Sequence, residues 1–577
     1  MRRAALPAAA VIATLAALAA FAVAAPKGAG VFKDVTKSSG IDMRVRTDLM
    51  RLKLIATMGG GCAAVDFDGD GRIDLYVTNS TPRWGKPNTK DCGRLYRNVG
   101  GGRFEDVTER SGIHACGLGI GAFWADLDGD GWPDLYLTNV GPNAVWWNRG
   151  DGTFEQGRDT GLEDPSFSVG AAFLDYDGDG RLDVVVANYL DSKPEWEASQ
   201  PQFELRVPED YTGQQSHLFR NAGNRKFVDV TKEAGLALPP AETKTLGVAV
   251  LDYDGDGRPD LYFVNDRAGN RLFRNKGVGA GGGAVFEETT DEAGAGALGA
   301  QPRAGMGVAV GDPFGDLRDS LFVTNFGAEP NSLYRNLGGG VFEEAGKSSG
   351  VAEIGMPFVR WGTHFADFDD DGWPDLYAAG GHLAPRIVRD VGHYRQGRKA
   401  AYVDAGDRAF AQRTVLLHNL GGGRFAEWTD SGDLAALRMS ARGTAVFDVD
   451  GDGDLDLVIV PIDGRVRVLE NTLGGANGPN GWIGVAPRPA AGGGTVMETR
   501  VRVTVGERVQ EQVYRVSPSY ASGSLVPLHF GLGAARRADR VAVRWPDGKT
   551  QSFDGVESGR VYRIQPGGAL EPASSKQ

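Results

Sequence analysis

An all-β fold, a seven-bladed β-propeller followed by a small β-sandwich or barrel domain, is predicted by three observations. A four-strand phrase recurs along most of the 577 residues, its first turn is rich in aspartate, and its last strand is found once ahead of the first copy. The aspartate-rich turns are Asp66 to Asp74 (DFDGDGRID), Asp126 to Asp134 (DLDGDGWPD), Asp175 to Asp183 (DYDGDGRLD), Asp252 to Asp260 (DYDGDGRPD), Asp367 to Asp375 (DFDDDGWPD) and Asp448 to Asp456 (DVDGDGDLD), with a degraded copy at Asp312 to Ser320 (DPFGDLRDS). Spacing between successive turns varies from 49 to 81 residues, so the strands carry the period and the insertions fall in loops.

Each copy reads as four short strands. A strand rich in small residues, such as GGGCAAV before Asp66, enters the aspartate turn and suits the crowded wall of a central channel. The apolar strand after the turn, LYVTN in the first copy, is followed by a third strand: LYRN at 95–98, VWWN at 145–148, LFRN at 218–221 and 272–275, LYRN at 333–336, LLHN at 416–419 and VLEN at 468–471. After a Gly-rich turn the fourth strand begins at Phe104, Phe154, Phe227, Phe286, Phe342 or Phe425. Phe32 opens the same phrase (FKDVT) before the first aspartate turn, while the last copy lacks one, so the N-terminal strand is expected to complete the last blade and close a ring.

In D-x-D-x-D-G-x-x-D, carboxylates at positions one, three, five and nine and the carbonyl of position seven can wrap one hard cation, with glycine at position six allowing the turn. That assigns Asp66, Asp68, Asp70 and Asp74 with the carbonyl of Arg72, and Asp126, Asp128, Asp130 and Asp134 with that of Trp132. It assigns Asp175, Asp177, Asp179 and Asp183 with Arg181, and Asp252, Asp254, Asp256 and Asp260 with Arg258. The last two sets are Asp367, Asp369, Asp371 and Asp375 with Trp373, and Asp448, Asp450, Asp452 and Asp456 with Asp454. Oxygen donors select Ca²⁺, about six ions in all. Position twelve, the bidentate Glu of an EF-hand, is Val77, Leu137, Val186, Phe263, Ala378 or Ile459, so these are hairpin turns of a sheet. The degraded copy has Phe314 and Ser320 at positions three and nine and is expected to be empty or weak.

These repeats, together with Ser517-Pro-Ser-Tyr-Ala-Ser522, His529-Phe-Gly-Leu-Gly533 and Val543-Arg-Trp-Pro-Asp-Gly548 near the C-terminus, resemble the FG-GAP/VCBS-repeat propellers, specifically the cartilage acidic protein-like family with a C-terminal ASPIC/UnbV domain. The resemblance implies calcium-bearing turns between the first and second strands of a blade, and no reaction for the small domain. Alternating strands from 495 onward fit that small β domain, and His529, flanked by apolar residues, is expected in its core. The expected organisation is a signal peptide at 1–25, the propeller at 26–471, a Gly, Asn and Pro-rich linker at 472–494, the ASPIC/UnbV-like domain at 495–566 and a disordered tail at 567–577.

The N-terminus, Met1-Arg2-Arg3 followed by an Ala-rich apolar stretch ending in small residues, has the grammar of an export signal, and no later segment is long and apolar enough to span a bilayer. A secreted, periplasmic or cell-surface monomer is therefore expected. A formal charge of −13 argues against nucleic acid as a partner. Of the three cysteines, Cys92 and Cys116 fall in loops of one face, which favours a bridge between them, with Cys62 in a neighbouring inner strand. The repeated residues serve metal, turn or core, which favours a binding, scaffold or adhesion role and singles out no catalytic residue. The alternative is a calcium-dependent extracytoplasmic enzyme of the polysaccharide lyase or hydrolase kind, with His114, His217, His382 and His393 as residues for it, although G-x-S-x-G, H-E-x-x-H and P-loop signatures are lacking. A protein or carbohydrate ligand is expected on the face opposite the aspartate turns, at the acidic insertion 191–210, with Trp196 and Phe203, and the basic insertion 385–413, with Arg386, Arg389, Arg395 and Arg398.

Overall fold

The computed structural model describes residues 31–47, 53–79, 92–199, 207–279, 284–296, 302–354, 356, 358–383, 411–474, 478–490 and 494–573. Seven sheets are built from the repeated phrase, their blade strands pairing antiparallel and, in all but the seventh, in chain order. Blade one spans 62–106, blade two 119–156, blade three 168–229, blade four 245–288, blade five 305–344, blade six 360–427 and blade seven 441–471. The outermost strand of blade seven is Phe32–Asp34, paired in the register Phe32↔Asn471 and Asp34↔Leu469. The early copy of the FEDVT-like phrase thus completes the last blade. The innermost strands, Cys62–Val65, Gly119–Ala125, Ser168–Leu174, Thr245–Leu251, Gly305–Gly311, Arg360–Ala366 and Ala441–Phe447, each pack against the next, and the last packs against the first.

The asparagine that ends every third strand joins neighbouring blades. Its amide nitrogen donates to the carbonyl of position two in the turn of the preceding blade: Asn98 to Val449, Asn148 to Phe67, Asn221 to Leu127, Asn275 to Tyr176, Asn336 to Tyr253, Asn419 to Pro313 and Asn471 to Phe368, all at 2.7 to 2.9 Å. Its side-chain oxygen accepts the N–H two residues on, as from Gly100 and Gly338. These amides are buried, so each bond closes acceptors that water cannot reach. The phenylalanines opening the fourth strands are also buried and fill the space between adjacent sheets, Phe227 with blade two, for example.

The C-terminal part forms two four-stranded sheets. One contains Gly481–Pro487, Leu528–Gly533, Arg560–Ile564 and Glu571–Pro572; the other contains Thr499–Val505, Arg508–Tyr514, Arg537–Arg544 and Thr550–Glu557. They enclose Ile483, Val485, Val501, Val503, Phe530, Val541, Val543 and Tyr562. Two expected boundaries change. Residues 481–487 (GWIGVAP), expected within a linker, are a buried strand, because their apolar residues outweigh the flanking glycines; Gly481 and Gly484 sit against Ala535 and Val561 where a side chain would collide. The expected tail contributes Glu571–Pro572, paired with Tyr562 and Arg563. The signal peptide expectation lies outside the described residues, among which no helix is long and apolar enough to cross a membrane.

The sequence did not foretell what fills the channel. Ser517–Pro518 and Ser522–Ser524 form a hairpin that leaves the C-terminal sheets, enters the ring and pairs in parallel with the inner strand of blade two (Ser522↔Ala122, Gly523↔Phe123). Cys62 N–H donates to Ser522 Oγ, Ala64 N–H to Ser524 Oγ and Thr363 N–H to Ser519 Oγ, at 3.0 to 3.1 Å. At the tip, fully buried Tyr520 donates to the Met58 carbonyl at 2.9 Å and packs edge-on against Trp361, whose other contacts include the guanidinium of Arg442. Gly61 is required here: a Cβ would stand 1.6 Å from the Ala521 carbonyl oxygen. The small residues of the inner strands thus make room for a hairpin.

Replacing Asn336 by Ala should strand the Tyr253 carbonyl and cost about 2 kcal/mol in denaturant unfolding. A change under about 0.5 kcal/mol would show the inter-blade bond to be dispensable.

Candidate metal centres and the docked C-terminal domain

The seven aspartate turns share one backbone. Positions four and six take positive φ throughout, from Gly69 (73°) and Gly71 (93°) to Gly451 (86°) and Gly453 (103°), and this holds even where glycine is replaced, at Leu317 (61°) and Asp370 (56°). Position one accepts the position-six N–H, as from Gly71 to Asp66 and Gly257 to Asp252. Position nine is clamped by two backbone amides, one from position two and one from the asparagine that ends the third strand: Asp74 accepts from Phe67 and Asn98, and Asp260 from Tyr253 and Asn275. In blade five Ser320 takes the second of these amides, from Asn336, so the hairpin survives without its carboxylate.

The turns gather the carboxylates expected from the sequence. Asp66, Asp68 and Asp70 bring one oxygen each within 4.8 Å of one another, as do Asp126, Asp128 and Asp134, Asp175, Asp177 and Asp183, and Asp252, Asp254 and Asp260. Asp66 Oδ1, Asp177 Oδ1 and Asp367 Oδ1 are buried and accept no hydrogen bond, whereas the buried Asp254 Oδ2 is met by the Arg274 guanidinium. Buried carboxylate oxygens without donors are what a cation would satisfy, and the all-oxygen donor set fits Ca²⁺. Arginines neutralise part of this charge: Arg97 contacts Asp68 and Asp70, Arg274 lies 2.5 Å from Asp254, and Arg225 lies 2.6 Å from Asp128 while covering Trp147. In blade five Arg335 pairs with Asp316 and lies over Phe314, the residue that replaces the third carboxylate.

Burial, reinforced by neighbouring aspartates, lifts the carboxyl pKa values of the turns. Asp126 and Asp448 are pushed up to about 6, Asp183 and Asp260 to about 8, and Asp74, Asp134, Asp375 and Asp456 well above their ordinary range.

The C-terminal domain sits on this acidic face. Arg488 and Arg563 reach Asp66 at 3.1 and 3.5 Å, Arg500 reaches Asp252 at 2.6 Å, and Arg515 pairs with Asp319. Arg508 donates to the carbonyls of Asp371 and Gly372, and Thr495 N–H donates to the Gly180 carbonyl. His529 is not simply a core histidine: its Nε2 lies 2.6 Å from Asp370 Oδ1, its ring stacks on Trp482, and Gly533 N–H donates to the Asp370 carbonyl. Asp370 is the one aspartate at a position-four site, and the extra carboxylate in DFDDDGWPD was the available signal for this contact. A cavity of about 320 Å³, lined by Asp66, Asp126, Asp128, Arg488, Arg563 and Tyr514 among others, lies between the two domains.

Cys92 and Cys116 form the expected disulfide, and Cys62 is buried with its thiol pushed up to about 12 by desolvation. His217 Nδ1 meets Asp229 at 2.8 Å across a hairpin, and His382 is buried with its pKa lowered to about 4 by burial and then Arg442. His393, residues 200–206 and residues 384–410 lie outside the described residues, so most of the two charged insertions does too. Of the acidic insertion, Trp196 is on a short helix, Pro194–Ser199, edge-on to Tyr211.

Comparison with known proteins agrees with this architecture. A model of the FG-GAP-like repeat matches residues 66–137, 126–186, 209–263 and 312–378, and a model of the ASPIC and UnbV domain matches 492–571. The chain is therefore an FG-GAP-repeat protein of the propeller type. It carries these repeats together with a C-terminal ASPIC and UnbV domain, and curated relatives of it are named Cartilage acidic protein 1. It is similar to Cartilage acidic protein 1 of Homo sapiens, 26% identical over 361 residues (55% of this chain, 52% of that protein), and of Xenopus tropicalis, 25% identical over 346 residues (52% and 51%). The chain spans about half the length of the curated relatives it matches. Among solved structures, an Agrocybe aegerita lectin described by its specific recognition of non-reducing terminal N-acetylglucosamine aligns with a TM-score of 0.36 at 17% identity, covering 69% of this chain and 88% of that one.

The raised carboxyl values predict a pH dependence. Without an ion the folded turns retain protons that the unfolded chain has released, so this contribution is complete below about pH 4 and is lost as pH rises through about 6 to 8. In chelator the melting temperature should fall between pH 6.5 and 8.5, and Asp183→Asn should flatten the fall. Saturating calcium should abolish it by replacing the protons. A chelated protein whose melting temperature is flat or rising over that range would contradict the assignment.

Proposed function

We propose that this chain is an exported calcium-binding propeller that serves as a binding or scaffold protein. The observation that carries the reading is the set of buried carboxylate oxygens without donors at positions one and three of the aspartate turns. Its ligands would be the carboxylates of positions one, three, five and nine and the carbonyl of position seven in blades one, two, three, four, six and seven. The family resemblance and the signal-like N-terminus support an extracellular location. With the C-terminal domain covering the acidic face, the opposite face, where the insertions emerge, is left for a protein or carbohydrate partner. The enzyme reading gains no support from His217, which is engaged by Asp229, or from His382, which is buried and neutral.

Elemental analysis after dialysis against calcium should find about six ions per chain. Asp254→Asn with Asp256→Asn should remove one ion, and Asp312→Asn in blade five none. Six independent sites, each held at tenfold below ambient calcium and contributing about 1.4 kcal/mol, total about 8 kcal/mol, so chelation should lower the melting temperature by several degrees. Protein that retains no calcium and melts identically in chelator would refute the proposal.

A further inference from the structure

At the third position of the LYRN phrase blades one, three, four and five carry arginine, blade two Trp147, blade seven Glu470 and blade six a histidine. Where blades one, four and five place Arg97, Arg274 and Arg335 against the carboxylates of their turns, blade six places His418. Its Nε2 is buried, 3.2 Å from Asp369 Oδ2 and 3.9 Å from Asp371 Oδ2, and the three side chains bring one ligand atom each within 4.8 Å of one another. The ring packs against Trp428 at 4.7 Å between centroids, which fixes its direction. In the same turn Asp367, 7% exposed, leaves Oδ1 without a donor while Oδ2 accepts the Gly372 N–H. Both oxygens of Asp375 are already engaged, by Phe368 and Asn419.

We propose that the blade-six turn is a transition-metal site of the Zn²⁺ class, with His418 Nε2, Asp369, Asp371 and Asp367 as ligands, set among turns that take Ca²⁺. The inference rests on the reading of the aspartate turns as cation sites and changes the ion at one of them. A guanidinium is always charged and has no lone pair to give, so an arginine at this position can only compete with a metal. A neutral imidazole supplies a nitrogen donor, which zinc, cobalt and nickel accept readily and calcium, a hard oxygen-seeking ion, does not. Two donors on a tetrahedral zinc ion, each at about 2.1 Å, stand about 3.4 Å apart, close to the separation of His418 Nε2 and Asp369 Oδ2. Three carboxylates with one imidazole also carry more negative charge than zinc removes. Arg508, whose guanidinium lies over Trp373 and donates to the carbonyls of Asp371 and Gly372, supplies a compensating cation without occupying the ligand oxygens. The competing role for His418 is that of a protonated substitute for arginine.

The test is titration of the full-length protein, held in millimolar calcium, with ZnCl2 by calorimetry and with CoCl2 by visible absorption. One equivalent of zinc should bind, cobalt should give the intense bands of a low-coordinate nitrogen-and-oxygen site, and one calcium should be displaced. His418→Arg, which restores the residue of the sister blades, should lose zinc affinity by more than the about 10–100-fold typical of an outer-shell change, with the remaining calcium retained. His418→Gln should do the same, which guards against a folding defect peculiar to arginine. Absence of the zinc equivalent from wild type, or equal zinc binding by His418→Arg, overturns the proposal. Zinc bound through His418 by a chain that holds no calcium would instead sink the calcium reading and leave this one standing.

Discussion

One hydrogen bond, repeated seven times, organises the molecule: an asparagine amide at the end of each third strand donates to the aspartate turn of the blade before it. The same asparagine gives its backbone N–H to the position-nine carboxylate of its own turn, as Asn98 does to Asp74. The ring is therefore tied through its acidic turns. A turn that lost its shape would release a strand of its own blade and a contact to the next. This explains why blade five keeps the turn geometry after losing the carboxylates of positions three and nine: Leu317 bears a left-handed φ of 61° and Ser320 still accepts the asparagine N–H.

The electrostatic cost of that arrangement falls on the buried carboxylates. Proton uptake, arginine pairing and cation binding are the available ways to offset it, and the structure shows arginines from two sources. Arg97, Arg225 and Arg274 come from the propeller itself, while Arg488, Arg500 and Arg563 come from the C-terminal domain. The domain is thus attracted to the acidic face, and its hairpin is held in the channel by hydroxyl groups of Ser519, Ser522 and Ser524 on inner-strand amides. A cation in the turns of blades one and four would draw on the same carboxylates, Asp66 and Asp252, that pair with the domain's arginines, and would so couple the two.

Much of this was legible in the sequence because repetition separates structural residues from incidental ones. The six D-x-D-x-D-G-x-x-D phrases located the turns, the early FKDVT phrase foretold that Phe32–Asp34 completes the last blade, and the loop positions of Cys92 and Cys116 gave the disulfide. The asparagine of LYRN was visible as a repeat, but its partner lies in another blade and no local pattern names it. The SPSYAS stretch marked the C-terminal domain, yet nothing local in it names its partners, which are amides of propeller strands such as those of Cys62, Ala64 and Thr363. The linker expectation failed at 481–487 for a related reason: Gly481 and Gly484 are required by close packing, and glycine count alone does not distinguish that from flexibility.

The central claim, that propeller, acidic turns and inserted hairpin form one cooperative unit, is tested most directly by hydrogen exchange of residues 515–525 read by mass spectrometry with calcium and with chelator. The account predicts that in calcium these amides exchange as slowly as the inner strands, and that in chelator the hairpin and the aspartate turns lose protection together. Fast exchange of the hairpin in calcium, or protection that chelator leaves untouched while the turns open, would contradict it.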